Sequence, residues 1–253
     1  MSSSDILDTS HAMARKRTHD EVSLIASSIR ADDTVLVTCP DTEFGGWHVS
    51  GSLLQSVVHN KKYTTLLEEG TAKELYIPNC SPLEVELFLQ WLYFGSYSEE
   101  SGFAKKLSWN LGELQNTGLE ITSASSTNVM VWAVKAAWLS WYLGAHLEAP
   151  QFQNYAMTRL FDAYERQDPK ATVDFDLWTI SNRSLPKVAL FFEEMVIRNW
   201  GDTSVVDHTR EEWSLLIVKH ESFRVKFMKG MAVSLEKRRE EPMKLEHYLI
   251  EED

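Results

Sequence analysis

The chain has 253 residues, of which 43% are hydrophobic and 25% charged, with 11 Gly, 7 Pro and 2 Cys. This composition is that of an ordinary folded protein, and it excludes collagen-like, wholly disordered and disulfide-scaffold classes. Nine tryptophans and few Gly or Pro predict long ordered elements, mostly helices, around an aromatic-rich core. The net charge of -12 argues against direct nucleic-acid binding, because phosphate contacts require clustered Lys and Arg.

Several features of the sequence predict an intracellular protein, without deciding between nucleus and cytoplasm. The two cysteines, Cys39 and Cys80, form neither a disulfide framework nor a CxxC motif. Residues 1–20 lack the apolar core of a signal peptide. The longest apolar run, residues 129–143, contains Lys135 and is too short to cross a membrane. We therefore expect no signal peptide and no membrane association.

The first 30 residues are polar and predict a disordered N-terminal tail. Arg15, Lys16 and Arg17 form a short basic cluster within it. This cluster is a candidate nuclear-import signal, although three bases in a tail are more often simply solvated.

The first regular elements are predicted to be a β-hairpin and two short helices. Residues 34–38 are a β-branched run ended by a Pro-Asp pair, which predicts a strand and a turn. Residues 44–49 then predict a glycine turn that enters a second strand. Apolar residues recur at helical spacing over residues 52–59 and 63–67, and residues 75–77 predict a third strand.

The clearest local signal is a capped helix over residues 82–94. Ser81 can cap the first amides, Pro82 suits the first helical position, and Glu84 can complete a capping box, which explains that carboxylate without catalysis. Gly95 stands where a left-handed residue would end the helix.

A long polar stretch and a helix pair follow. Residues 96–128 are rich in Ser, Glu, Gly, Asn and Thr and predict an extended loop. Residues 129–143 predict a buried helix that ends at Gly144. A second helix is predicted from Pro150 to about Arg166.

The remaining residues, 167–253, predict an all-helical C-terminal extension. One helix is expected from Pro186 to Trp200, with Gly201 as its stop. Residues 209–212 form a second candidate capping box, and residues 222–239 predict one last long helix.

Common catalytic signatures are absent from the sequence. It contains no GxxxxGK[ST], GxGxxG, HExxH or GxSxG motif, and its eight histidines are scattered. Cys80 lies at a strand-to-helix junction, but a small buried residue is the favoured role for both cysteines. We therefore expect no catalytic residues, cofactor or metal.

Residues 73–79 followed by residues 82–95 resemble the BTB/POZ domain of the filamentous-fungal type. The family motif is carried by Pro82, Gln90, Trp91, Leu92, Tyr93 and Gly95, and by the later turn at Leu143, Gly144 and Pro150. One departure is that Ser50 stands where the family usually has a His before its first helix.

The resemblance implies an α+β fold, in which a small three-stranded sheet is covered by helices, over residues 31–166. It also implies a non-enzymatic interaction or scaffold protein that forms homo- or hetero-oligomers. A substrate adaptor of a cullin-type ubiquitin ligase is the alternative, and an enzyme with an unrecognised site is the third hypothesis. Residues 31–166 contain sixteen acidic and eight basic residues, which favours a partner with a basic surface.

Overall fold

The structure is a computed structural model that describes residues 34–40, 42, 45–68, 73–99, 131–165, 173 and 185–252. The predicted tail over residues 1–30, its basic cluster and most of the loop over residues 96–128 lie outside these ranges. Within them the protein is α+β, with a three-stranded sheet and a majority of helices.

The strands are β1 (Thr34–Thr38), β2 (Trp47–Ser50) and β3 (Glu74–Tyr76). The α-helices are α1 (Gly51–Gln55), α2 (Lys61–Glu68), α3 (Pro82–Phe94), α4 (Trp132–Leu147), α5 (Pro150–Glu165), α6 (Pro186–Asn199), α7 (Glu212–Lys219), α8 (Glu221–Met231) and α9 (Leu235–Glu240). A single 3-10 turn, Leu245–His247, follows.

The sheet has the order β2-β1-β3, with β1 antiparallel to β2 and parallel to β3. Alternation along the strands places Val35, Val37 and Leu75 in the core. Tyr76 lies on the opposite face, where it is 52% exposed. Helices therefore cover one face of the sheet, as the sequence predicts for a sheet too small to bury itself.

The hairpin between β1 and β2 depends on glycine at one position. Gly46 has φ +108, and a Cβ there would lie 2.5 Å from the carbonyl oxygen of Val37. Any other residue would be strained and would collide with the neighbouring strand.

The capped helix α3 is confirmed. Ser81 is its N-cap, and Glu84 Oε2 accepts hydrogen bonds from the Ser81 amide (2.5 Å) and hydroxyl (2.8 Å). At the other end, Gly95 has φ 74 and its amide donates to the Trp91 carbonyl at 2.7 Å.

The first helix is shorter than the sequence predicts. It ends at Gln55, whereas the apolar pattern continues to His59. The amides of His59 and Asn60 instead donate to the carbonyls of Glu148 (3.3 Å) and Leu147 (3.1 Å). Contact with the distant end of α4 therefore takes these residues out of the helix.

The prediction that Gly144 ends a helix is wrong. Helix α4 continues to Leu147, and Glu148 adopts the left-handed conformation with φ 50. A Cβ on Gly144 would lie 2.7 Å from Gln153 Cγ of the next helix. The glycine serves close packing of α4 on α5, while Pro150 begins α5 as predicted.

Two predictions for the C-terminal helices are also wrong. Thr209 does not cap α7, because its hydroxyl and amide both donate to Asp207 Oδ1 in a local turn. The expected last helix over residues 222–239 is two helices, α8 and α9. Ser234 interrupts it as the N-cap of α9, with its hydroxyl accepting from the Lys237 amide.

The C-terminal helices pack on the rest of the chain through aromatic contacts. The Phe191 ring of α6 lies 6.1 Å from Phe161 and 5.5 Å from Tyr164, both on α5, and 5.4 Å from Tyr248. The side-chain amide of Asn154 on α5 also bonds to both the N–H and the carbonyl of Ile250, each at 2.8 Å. Sheet, α5 and extension therefore share one core.

Helices long and apolar enough to cross a membrane do not occur among the described residues.

Candidate functional site: an interaction surface

The residues at the end of α3 that carry the sequence resemblance make contacts within the chain. Gln90 Oε1 accepts a hydrogen bond from the Ser98 amide at 2.9 Å. The Trp91 ring lies 5.0 Å from the ring of Phe152 on α5, and Leu92 is buried. These contacts fix α3 against α5 and against the chain that leaves α3.

Tyr93 connects the same motif to the sheet. Its hydroxyl accepts a hydrogen bond from the Ser50 amide at 3.2 Å. The Ser50 hydroxyl in turn caps α1 by accepting from the Leu53 amide at 3.4 Å. Ser50 thus caps the helix at the position where the resembled family usually has His.

The remaining motif residues occupy helix starts and core positions. Pro82 is the first residue of α3 and Pro150 the first of α5, where a missing amide donor costs nothing. Leu143 is fully buried on α4, one residue before Gly144. The basic cluster Arg15, Lys16 and Arg17 lies outside the described residues.

The structure brings Cys39 close to Cys80 and Glu84, which follow it by more than forty positions in the sequence. Cys39 follows β1, Cys80 follows β3, both are buried, and the Cys80 thiol donates to the Ile77 carbonyl at 3.4 Å. The neighbouring Cys39 thiol, burial and the nearby charge of Glu84 together hold the pKa of Cys80 well above its usual range. Because the thiolate is the reactive form, this environment disfavours Cys80 as a nucleophile.

Glu84 is fully buried beside these thiols. Burial raises the pKa of its carboxyl to about 7, although the hydrogen bonds from Ser81 oppose the shift. Its second oxygen, Oε1, has no hydrogen-bond partner among the described residues. The carboxyl titrates near neutrality, but its contacts are those of a buried helix cap.

Exposed apolar side chains are concentrated on the C-terminal helices. The described residues leave seven large apolar side chains exposed: Leu66, Tyr76, Phe94, Leu215, Val218, Val225 and Met228. Four of these seven are on α7 and α8. We call Leu215, Val218, Val225 and Met228 the tail surface, and they are 57%, 70%, 46% and 62% exposed.

The tail surface stands on a well-packed base. On its inner side α7 buries Trp213 and Leu216, and α8 buries Phe223 and Phe227. The Trp200 ring lies 5.9 Å from that of Trp213 and 4.9 Å from that of Phe227, in edge-to-face geometry.

Further contacts hold the two helices of the tail surface together. Trp213 Nε1 donates to the Asp207 carbonyl at 2.9 Å. At the junction of the helices, the Arg224 guanidinium donates to the Val218 carbonyl at 3.1 Å. The exposed side chains are thus presented by helices whose opposite faces are anchored.

Sequence reasoning missed the tail surface, although a signal for it exists. Residues 215–218 are four consecutive apolar residues on a helix. Four consecutive helical positions are spread over about 300° around the helix axis, so they do not all face one core. The sequence therefore indicates that some of them are exposed, but it does not identify which.

No family model matches the chain, and comparison with curated proteins and with solved structures gives no match either. Its function is accordingly inferred from the arrangement of its own side chains.

Proposed function

We propose that this chain is a non-enzymatic protein-interaction protein that acts through homo- or hetero-oligomerisation. In this proposal residues 31–166 are a BTB/POZ domain. Residues 167–253 are a helical extension that packs on the domain and presents a second contact surface.

The order of elements supports the BTB/POZ part of the proposal. An antiparallel hairpin, two short helices, a third strand, a capped helix and a helix pair follow one another in the order that the sequence resemblance implies. The resembled motif at residues 90–95 lies where this order requires the end of the capped helix.

The grouping of exposed apolar residues is the observation that carries the interaction role. Single exposed apolar residues are normal on a protein surface, whereas grouped ones mark contact sites. The tail surface places four such side chains on two adjoining helices that pack together. Their exposure leaves apolar area in water that a partner would bury.

Light scattering coupled to size exclusion, together with affinity purification, tests this proposal. We expect the full chain to elute at micromolar concentration with a mass above its 29.0 kDa, or to recover defined partner proteins from cells. A strict monomer that recovers no reproducible partner would contradict the proposal. The same purification tests the alternative adaptor role, which requires a cullin among the recovered proteins.

A further inference from the structure

The two helices of the tail surface carry the same short pattern on their exposed sides. On α7 it is Leu215, Val218 and Lys219, and on α8 it is Val225, Met228 and Lys229. In each helix the second apolar residue is three positions after the first and the lysine four, so all three share one face. All six side chains are exposed.

The charge around the tail surface is opposite to that of the whole chain. The two helices that carry the tail surface, residues 212–231, contain four Lys and Arg and two Glu, whereas the chain as a whole has a net charge of -12. Lys226 is paired with Glu193 at 2.7 Å, and Arg239 with Asp202 at 2.7 Å. Lys219 and Lys229 follow Val218 and Met228 directly in the chain, and one exposed acidic residue, Glu221, lies four positions before Val225 on the same face of α8.

We propose that the tail surface binds an acidic amphipathic helix of a partner protein. This inference rests on the proposed function, since it names the partner class for one of its surfaces. The apolar side of the helix would cover Leu215, Val218, Val225 and Met228, as in helix-in-groove recognition. Its Asp and Glu side chains would face Lys219 and Lys229, which steers association and selects against basic helices.

A membrane surface fits these observations less well. An amphipathic helix that inserts into a bilayer uses its main apolar side, but Phe223 and Phe227 of α8 are buried in the protein core. A net charge of -12 also opposes approach to an anionic bilayer.

A second copy of the chain also fits less well as the occupant. One acidic, apolar segment of the described chain, residues 245–252, is already attached to its own α5. Tyr248 is fully buried, and Asn154 holds both backbone groups of Ile250. This segment would have to detach before it could cover the tail surface of another copy.

Selection from a displayed library of random peptides on the immobilised full chain tests the inference. We expect enriched peptides to combine Asp and Glu with apolar residues at i, i+3, i+4 and i+7. Their affinity, measured by fluorescence anisotropy on synthetic copies, should fall as salt rises, because exposed charge contacts are screened.

Two double variants and one control locate the binding. We expect each double variant to raise Kd about tenfold or more. One variant combines Val218→Ser with Met228→Ser, and the other combines Lys219→Glu with Lys229→Glu. Phe94→Ser changes a side chain that is 75% exposed on α3, and it should leave Kd unchanged. Circular dichroism should show the parental helical spectrum for all three variants. The thermal midpoint should fall slightly only for the Lys→Glu pair, because negative charges at the C-terminal ends of α7 and α8 interact unfavourably with the helix dipoles.

Several outcomes would overturn the inference. These are failure to enrich any peptide, enrichment of basic peptides, and equal binding to the tail variants. Binding to phosphatidylserine vesicles that the same variants abolish would replace the inference with a membrane role, and a dimer that they dissociate would assign the surface to a second copy. If cellular partners are recovered equally by parent and tail variants, the oligomerisation proposed for residues 31–166 stands, and both the second contact surface and this inference fail.

Discussion

Glu84 combines two roles that rarely coincide, since it caps a helix and is also a fully buried carboxyl. Burial raises its pKa from 4.5 to about 7, and the Ser81 amide and hydroxyl limit the rise by donating to it. Because the pKa is higher in the folded state, folding binds the proton more tightly. This contribution to stability is fully present below the unfolded pKa, and it is lost as pH rises through the folded-state pKa.

Glu84→Gln should therefore alter the pH dependence of stability. Between pH 4.5 and about 7 the parent loses stability that the neutral variant keeps. Over this range the free energy of unfolding of Glu84→Gln should rise relative to that of the parent by up to about 3 kcal/mol. Urea unfolding followed by tryptophan fluorescence at both ends of this range measures it. Glu86→Gln, an exposed neighbour on α3, is the matched control, and a difference for Glu84→Gln that does not vary with pH would refute the assignment.

Gly144→Ala tests the close approach of α4 and α5. Ala favours a helix interior over Gly by about 1 kcal/mol, whereas overpacking costs about 1–3 kcal/mol. A Cβ would lie 2.7 Å from Gln153 Cγ and 3.3 Å from the Gln153 backbone nitrogen. The backbone nitrogen moves only with α5, and Cγ moves only if the buried Gln153 side chain changes rotamer, so we expect net destabilisation in urea unfolding. Gln153→Ala removes Cγ, so the cost should be smaller in that background, and an equal cost in both would contradict the packing explanation.

At the scale of elements, the sequence predicts the start or end of a helix correctly where neighbouring residues determine it. The capped helix α3 has its start and stop within fifteen residues, in Ser81, Pro82, Glu84 and Gly95. The early end of α1 depends on Glu148, about ninety positions away, and no local signal contains it. Residues 232–234, which separate α8 from α9, contain no Gly or Pro. Ser234 acts as a cap only because the chain turns there.

Asn154 controls how the C-terminal segment attaches to α5. Its side chain bonds to both backbone groups of Ile250, and it also donates to Glu252 Oε1 at 2.8 Å. Asn154→Ala leaves these groups without their partner, and each lost hydrogen bond costs about 0.5–1.5 kcal/mol. We expect faster hydrogen exchange at the Ile250 amide and a lower free energy of unfolding.

Asn154→Asp separates the two halves of this contact. The carboxylate still accepts from the Ile250 amide, but it cannot donate to the Ile250 carbonyl and it repels Glu252. Its effect on exchange at Ile250 should lie between those of the parent and the Ala variant. Exchange at Ile250 that is unchanged in both variants would show that other contacts hold the segment.

At the scale of the whole molecule, the sequence predicts an α+β chain with helices that follow a small sheet, and the described residues have this architecture. The candidate site was not predictable, because exposure is decided by tertiary packing. Leu216 and Leu215 are adjacent and chemically identical, yet Leu216 is buried on the inner side of α7 and Leu215 is 57% exposed. Only the position of α7 on Trp200 and its neighbours distinguishes them.

Phe191→Ala tests whether the domain-like part and the extension unfold together. Phe191 is buried between α5, α6 and the C-terminal segment, so its truncation should cost about 3–5 kcal/mol. If the core is shared, hydrogen exchange followed by mass spectrometry should show equal losses of protection in β1 and in α8. Phe94→Ala makes the same chemical change at a residue that is 75% exposed and should alter neither. Loss of protection in α8 alone would instead mean that the extension unfolds separately, and that the aromatic contacts only dock it.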